Sequence, residues 1–328
     1  MLTDELFTQP PGTPIERSGK IIRPTVEQMR SYWKGERLPR FDLGWSCVDF
    51  GLLHANLVLV SGYANHGKGT MVRQIALQMY YKYGTKWAFW SPEDMPEEYF
   101  YADIIHMITG KSTEKHHNNY ISEPEYLSAF ATAAEVIKLI DFDVDMPSIK
   151  MILAEFDHLY DMGIRGFVID PFNNTEDANS DAAYDKTIRE VGLSIRKWAR
   201  AKGDVFPIVV THPKSPTGVK SGEDAKLPSY NELHYGSDWG KIFDDIIIYH
   251  HPTFNTQKDS INRVISLAKV KKAKISGRRT DYYMNWNYVI NRILDAEYKC
   301  GLPEITDAPA PKLPPHPMQP IENEKLPF

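Results

Sequence analysis

Ser61-Gly62-Tyr63-Ala64-Asn65-His66-Gly67-Lys68-Gly69-Thr70 is the stretch on which the reading of this chain turns. The apolar run Leu57-Val58-Leu59-Val60 precedes it, and a helical pattern from Val72 to Tyr83 follows. Strand, glycine-bounded loop, lysine and helix is the layout of a phosphate cradle. Gly62 and Gly67 let the backbone turn its N–H groups toward phosphate oxygens. Lys68 is placed to reach the β- and γ-phosphates, and the helix adds its positive dipole end. One position departs from the usual pattern. Gly69 stands where a Ser or Thr hydroxyl would hold Mg²⁺, and Thr70 comes one place late. The loop therefore points to nucleotide binding and leaves hydrolysis open. A plain glycine turn between strand and helix is the structural alternative.

Moving outward, apolar strand candidates alternate with helical patterns. The strands are expected at 57–61, 86–91, 139–143, 165–169, 206–211, 244–249 and 263–270, and the helices at 70–83, 96–108, 123–138, 147–162 and 181–202. Near-continuous apolar strands in such alternation predict an α/β fold, a mostly parallel central sheet flanked by helices on both faces. Ligands gather at the carboxyl ends of such strands, and several polar residues fall there.

Gly166-Phe167-Val168-Ile169-Asp170 ends in a carboxylate suited to Mg²⁺, directly or through water. Otherwise Asp170 simply opens the loop Pro171-Phe172-Asn173-Asn174. Trp90-Ser91-Pro92-Glu93-Asp94 puts Glu93 beside the phosphate loop, placed to orient an attacking water; Asp94 is its rival. An acidic helix start is the bland reading of both. Ile208-Val209-Val210-Thr211-His212 ends in a histidine able to donate a hydrogen bond to a γ-phosphate, although a lone histidine after a strand is more often structural. Lys214, Lys220 and Lys226 follow in a long loop rich in Gly, Ser and Pro, a candidate nucleic-acid contact. The densest basic run, Lys269-Val270-Lys271-Lys272-Ala273-Lys274 to Arg278-Arg279, is either a solvated hairpin or a set of cations that reach phosphates.

The 328 residues allow one large domain or two small ones. A net charge of −5 argues against a generally basic nucleic-acid coat, though not against a local basic channel. Cys47 and Cys300 are far apart and lack metal-ligand spacing, which fits a reducing, cytoplasmic setting. No apolar run approaches the roughly 20 residues that span a bilayer, and no secretory signal is expected. Residues 1–24 read as a Pro-containing flexible arm, with a short helix from Thr25 within 25–40. The main domain is expected over 41–300, and 301–328 is a Pro-rich disordered tail. Its tip, Glu322 to Phe328, suits capture of a partner protein through an aromatic carboxy terminus.

These segments, in this order, resemble the RecA-like motor domain of DnaB-type hexameric replicative helicases, most of all those of bacteriophages and of the helicase half of phage primase-helicases. The resemblance covers about residues 25–295. It rests on the Gly-Asn-His-Gly-Lys-like loop, Ser91-Pro92-Glu93, Ile169-Asp170 and His212-Pro213-Lys214. It implies a RecA-like P-loop fold with ATP and Mg²⁺. Asn65 and His66 would join Gly62, Gly67, Lys68, Gly69 and Thr70 around the nucleotide. Glu93 would be the catalytic base, Asp170 would serve Mg²⁺ and His212 would sense the γ-phosphate. Lys269 and Lys271 match the pair that reaches into a neighbour's nucleotide site, with Lys271 in the place of an arginine finger. Trp286 matches an aromatic that stacks on the base. His234, Tyr235 and Gly236 lie in a segment similar to the family's DNA-channel loop. The helix after Thr25 resembles a linker helix that packs on the adjacent subunit.

The resemblance also implies a homo-hexamer on single-stranded DNA that unwinds duplex during phage or plasmid replication. A replisome partner, such as a polymerase, primase or single-strand-binding protein, would be held through the tail. Gly69 and Lys271 both point to weakened hydrolysis, because Lys keeps the charge of an arginine finger but loses its planar fork. A non-hydrolysing RecA-like scaffold or loader, and a recombinase-like filament protein, are the alternatives.

Overall fold

The structure, a computed structural model, describes residues 24–34, 40–179, 184–213, 222–233 and 238–305. Lys214, Lys220, His234, Tyr235, Gly236, the arm up to residue 23 and the tail from residue 306 lie outside them. The chain divides after Leu38 into two units. In the first, α1 (Val26–Trp33) starts at the expected N-cap. The Thr25 hydroxyl accepts from the Gln28 N–H at 3.1 Å, and the Gln28 side chain accepts from the Thr25 N–H at 2.7 Å. This reciprocal pair satisfies two of the helix's unpaired donors.

The second unit begins with a two-stranded ribbon, β1 (Phe41–Asp42) and β2 (Gly51–Leu52). The alternation then runs β3 (Val58–Ser61), α2 (Lys68–Tyr83), β4 (Trp87–Trp90), α3 (Glu97–Thr109), α4 (Glu123–Val136) and β5 (Ile137–Ile140). It continues α5 (Ile149–Asp161), β6 (Gly166–Ile169), α6 (Tyr184–Lys202), β7 (Phe206–Thr211), α7 (Asp238–Ile242) and β8 (Asp245–His250). It closes with β9 (Asn262–Val270), α8 (Ala273–Ser276), β10 (Asp281–Asn287) and β11 (Arg292–Leu294).

Nine strands form one sheet in the order β11-β10-β9-β8-β3-β7-β6-β4-β5. From β5 to β8 every pairing is parallel, and β9, β10 and β11 add antiparallel neighbours. The central strands are apolar throughout because helices cover both faces, and their side chains alternate between two cores. Val58 and Val60 enter the core with α2 and α3, while Leu57 and Leu59 enter the one with α5 and α6. Ile247 and Tyr249 of β8 share the first core, Ile246 and Ile248 the second.

The strand expected at 139–143 lies instead at Ile137–Ile140, and α4 runs into it with no intervening residue. Asp141, Asp143, Val144 and Asp145 are exposed, so the sheet cannot extend through them. Ile137 and Ile140 are the buried pair that sets the register, opposite Trp87 and Trp90.

The strand order matters for function. β3, β7, β6 and β4 are consecutive neighbours and all run the same way. Their carboxyl ends therefore place four chain segments side by side: the phosphate loop, His212, Asp170 and Glu93.

Candidate nucleotide site

A cleft of about 280 Å³ opens at those four strand ends. Ala64, Asn65, Gly67, Lys68, Gly69, Thr70 and Arg73 line it from the loop and α2, and Ser91, Glu93, Asp94, Asp170 and His212 from the other strands. A whole small-molecule pocket is usually about 300–1,000 Å³, so the cleft suits a phosphate chain with the base outside it.

Gly62 and Gly67 both have positive φ, 156° and 96°. A Cβ on Gly62 would lie 2.1 Å from the Tyr249 carbonyl oxygen, and one on Gly67 2.3 Å from the Trp286 ring. Any side chain at either position would collide with packed neighbours. Asn65, at φ 62°, takes the left-handed conformation that Asn tolerates best among larger residues. The loop thus delivers the chain to the start of α2, where unpaired N–H groups and the dipole favour an anion.

Lys68 is 6% exposed, and its Nζ donates to the Tyr63 carbonyl at 3.1 Å. Burial pulls its pKa down to about 8, against the opposing pull of Asp170 and Glu93. An ammonium so placed gains when a phosphate restores its missing partners. Asp170 is pushed up to about 7, first by burial and then by Asp94, while Arg73 and Lys68 act the other way. Thr70 is 8% exposed and lines the same cleft as Asp170. Mg²⁺ keeps several waters and takes one or two protein oxygens beside the phosphates, so one carboxylate and one hydroxyl here fit it. A Cβ on Gly69 would sit 3.4 Å from Arg73 Nη2, an ordinary contact, so a larger residue is sterically acceptable.

The two acidic candidates after β4 have different surroundings. Asp94 accepts from Arg73 Nη1 at 2.7 Å and from Ser91 Oγ at 2.6 Å. Arg73 Nε also donates to Asp103 at 2.9 Å, so Asp94 belongs to a network that ties α2 to α3. Glu93 is held loosely: its side chain is 55% exposed, Asn174 donates to it at 3.3 Å and His212 Nε2 stands 4.0 Å away. Asn173 Oδ1 accepts from Thr211 Oγ1 at 3.1 Å and from the His212 N–H at 3.4 Å. Asn173 and Asn174 were legible in the sequence only as loop residues. No pattern marked them as the pair that joins the ends of β6, β7 and β4.

His66 does not line the cleft. It is 3% exposed behind the loop, and its Nδ1 accepts from the His251 N–H at 3.0 Å. His250, His251 and Phe254 surround its ring. Burial, reinforced by His250 and His251, pulls His66 down to about 3, and burial takes His250 and His251 each to about 4. In the unfolded chain a histidine titrates near 6.5. Protonation therefore favours unfolding, so stability is whole above neutral pH and falls as pH drops through 6.5 toward 4. At pH 5, His66 alone is expected to cost about 1–2 kcal/mol. Urea unfolding at pH 7.5 and pH 5 checks this, and His66→Gln should flatten the dependence.

Trp286 reaches the site from β10. Its ring packs on Gly67, stacks on Tyr288 at 5.1 Å and 18°, and lies 4.9 Å from the Arg263 guanidinium carbon. Lys269 and Lys271 are elsewhere. Val270 pairs with Asp245, which lies beside Val58, the first residue of β3 and so at the end of the sheet away from the phosphate loop. Lys269 Nζ donates to the carbonyls of Gly240 and Phe243, and Lys271 pairs with Asp244 at 2.8 Å. Neither touches the cleft of its own chain. Lys226 is exposed.

The parallel sheet, the phosphate loop on its central strand and the polar strand ends define a RecA-like P-loop α/β domain. Solved structures narrow the type. The ATPase domain of a helicase superposes with a TM-score of 0.65 at 15% identity, over 84% of this chain and 99% of that one. A DnaB-like replicative helicase gives a TM-score of 0.66 at 16% identity, over 84% of this chain and 67% of that one. The KaiC-like protein PH0186 from Pyrococcus horikoshii OT3 gives 0.50 at 16% identity, over 79% and 99%. The fold is accordingly that of a DnaB-type RecA-like domain. No family model matches the chain, and no curated protein matches it in sequence. Among the described residues, no helix is long and apolar enough to cross a membrane.

Proposed function

We propose that this chain is an ATP-dependent DNA helicase motor of the replicative type, acting on single-stranded DNA as a ring of identical subunits, in the cytoplasm where phage or plasmid DNA is copied. The observation that carries this reading is the convergence of Lys68, Glu93, Asp170 and His212 on one phosphate-sized cleft. Lys68 and the first turn of α2 bind the phosphates. Glu93, loosely held between Asn174 and His212, has the freedom to orient a water at the γ-phosphate. His212 shares its contacts with Glu93 and with the end of β7, so loss of the γ-phosphate is felt along that strand. Asp170 and Thr70 would hold Mg²⁺, which when bound neutralises charge on the β- and γ-oxygens. Trp286, or its stacking partner Tyr288, offers a platform for the base.

Two features support assembly. Val26, Met29, Tyr32 and Trp33 of α1 are all more than half exposed, a set of large apolar side chains suited to packing on an adjacent subunit. Lys271 is half exposed at the end of the sheet remote from its own cleft, where it could release Asp244 and enter a neighbour's site. Lys226, with Lys214, Lys220 and the segment His234-Tyr235-Gly236, would contact DNA. The tail would recruit a replisome partner.

A second reading, a non-hydrolysing scaffold or loader, is favoured by Gly69 and by the engagement of Lys271 with Asp244. A recombinase-like filament would differ by forming long filaments on DNA rather than closed rings. Steady-state ATPase with and without single-stranded DNA separates the first two. DNA-stimulated turnover is expected for the motor, and Gly69→Ser should raise it about tenfold, equivalent to about 1.4 kcal/mol, by restoring a hydroxyl ligand. No turnover in either protein, with ATP binding intact, would favour the scaffold.

A further inference from the structure

The connection between α3 and α4 folds back on itself and is pinned at its base. Ser112 forms a bridge with Tyr120, its N–H donates to the Asn119 carbonyl at 3.0 Å, and its carbonyl accepts from the Ile121 N–H at 2.9 Å. Asn119 Nδ2 donates to the carbonyls of Gly110 at 3.1 Å and Val289 at 2.9 Å. At the tip, the Glu114 N–H donates to Ser112 Oγ and the His117 N–H to the Glu114 carbonyl, both at 3.1 Å. These turns bring three side chains to one point. Glu114 Oε2 lies 3.1 Å from His116 Nε2 and 3.6 Å from His117 Nε2, and the two ring centroids are 4.4 Å apart. One ligand atom from each lies within 4.8 Å of the other two, the sole such trio of His, Cys, Asp or Glu among the described residues.

We infer that Glu114, His116 and His117 form a binding site for a borderline divalent cation, with Zn²⁺ the best match. Tetrahedral Zn²⁺ with bonds of about 2.0–2.2 Å sets its ligand atoms about 3.3–3.5 Å apart. The two separations from Glu114 Oε2, 3.1 and 3.6 Å, bracket that edge. Two imidazoles and one carboxylate leave the fourth position to water. Imidazole donors favour Zn²⁺, Cu²⁺ or Ni²⁺ over Mg²⁺ and Ca²⁺, which take oxygen. All three residues are exposed, so the ion enters directly from solvent.

The site stands apart from the nucleotide cleft and does not depend on how that cleft is read. It has a structural route toward it nonetheless. Asn119 from this loop and His106 Nε2 from α3 both hold the Val289 carbonyl. Val289 follows Tyr288, which stacks on the Trp286 ring that backs Gly67. A bound ion would stiffen the brace behind the phosphate loop.

The test is Zn²⁺ titration of the full chain, without an affinity tag, by calorimetry and by competition with a chromophoric chelator. One saturable Zn²⁺ per chain is expected, with no competition from excess Mg²⁺. The His116→Ala/His117→Ala double variant should lose it, and Glu114→Gln should weaken it at least about tenfold, the smallest loss typical even of outer-shell partners. Zn²⁺ should raise the melting temperature of the wild type and leave the double variant unchanged. Absence of saturable binding at micromolar Zn²⁺ would overturn the assignment. So would binding that survives the double substitution, which would move the ion to other histidines such as those behind the phosphate loop.

Discussion

Lys68→Ala is expected to weaken ATP binding at least about a hundredfold, close to 3 kcal/mol. Lys68 is the cation at the mouth of α2, and a charge-assisted hydrogen bond to a phosphate contributes about 1.5–3 kcal/mol. The ammonium is 6% exposed with one carbonyl acceptor at 3.1 Å, so phosphate oxygens supply the partners it lacks. The same burial means the folded protein loses little when the charge is removed. The melting temperature should therefore hold or rise while a fluorescent ATP analogue no longer binds. Unchanged affinity would remove the phosphate-loop assignment, and a general loss of stability would mean that Lys68 is structural.

Glu93→Gln is expected to leave nucleotide affinity within a few-fold and to cut turnover by about 10²–10⁴, the range for a lost general base. Asp94→Asn makes the contrast. Asp94 is engaged by Arg73 and Ser91, and Arg73 is 8% exposed. Weakening that buried network should lower stability by about 1–3 kcal/mol, and activity should follow stability rather than fall on its own. The measurement is single-turnover hydrolysis beside thermal unfolding for both variants. Normal hydrolysis by Glu93→Gln, with a catalytic loss in a fully folded Asp94→Asn, would exchange the two roles.

Much of the fold was legible because local periodicity carries it. The runs at 57–61, 165–169 and 206–211 are apolar at consecutive positions, as only strands covered on both faces can be, and each appears within a residue of its expected bounds. Thr25 was readable as an N-cap because its side chain acts within one turn. The strand at Ile137–Ile140 was misplaced by two or three residues, since Leu139 and Ile140 open an apolar pattern that Phe142 and Val144 continue, and only exposure shows where it ends. β1, β2 and β11, of two or three residues each, are too short to carry a period.

By itself the sequence determined that a phosphate loop joins an apolar strand to a helix, and that carboxylates and a histidine end other strands. Those facts depend on neighbours along the chain. Only the tertiary structure decided which strand ends stand together, because the order β3-β7-β6-β4 depends on crossovers that no local pattern encodes. It also decided between like residues. Asp94 is drawn into the Arg73 network while Glu93 stays loosely held, and His66 packs behind its loop while Asn65 faces the cleft. It brought Asn173 and Asn174 to Thr211 and Glu93, and Trp286 to Gly67. Such choices rest on which partner a polar group meets once the core has closed. That is a property of packing across residues separated by tens to hundreds of positions, and the sequence states it nowhere in one place.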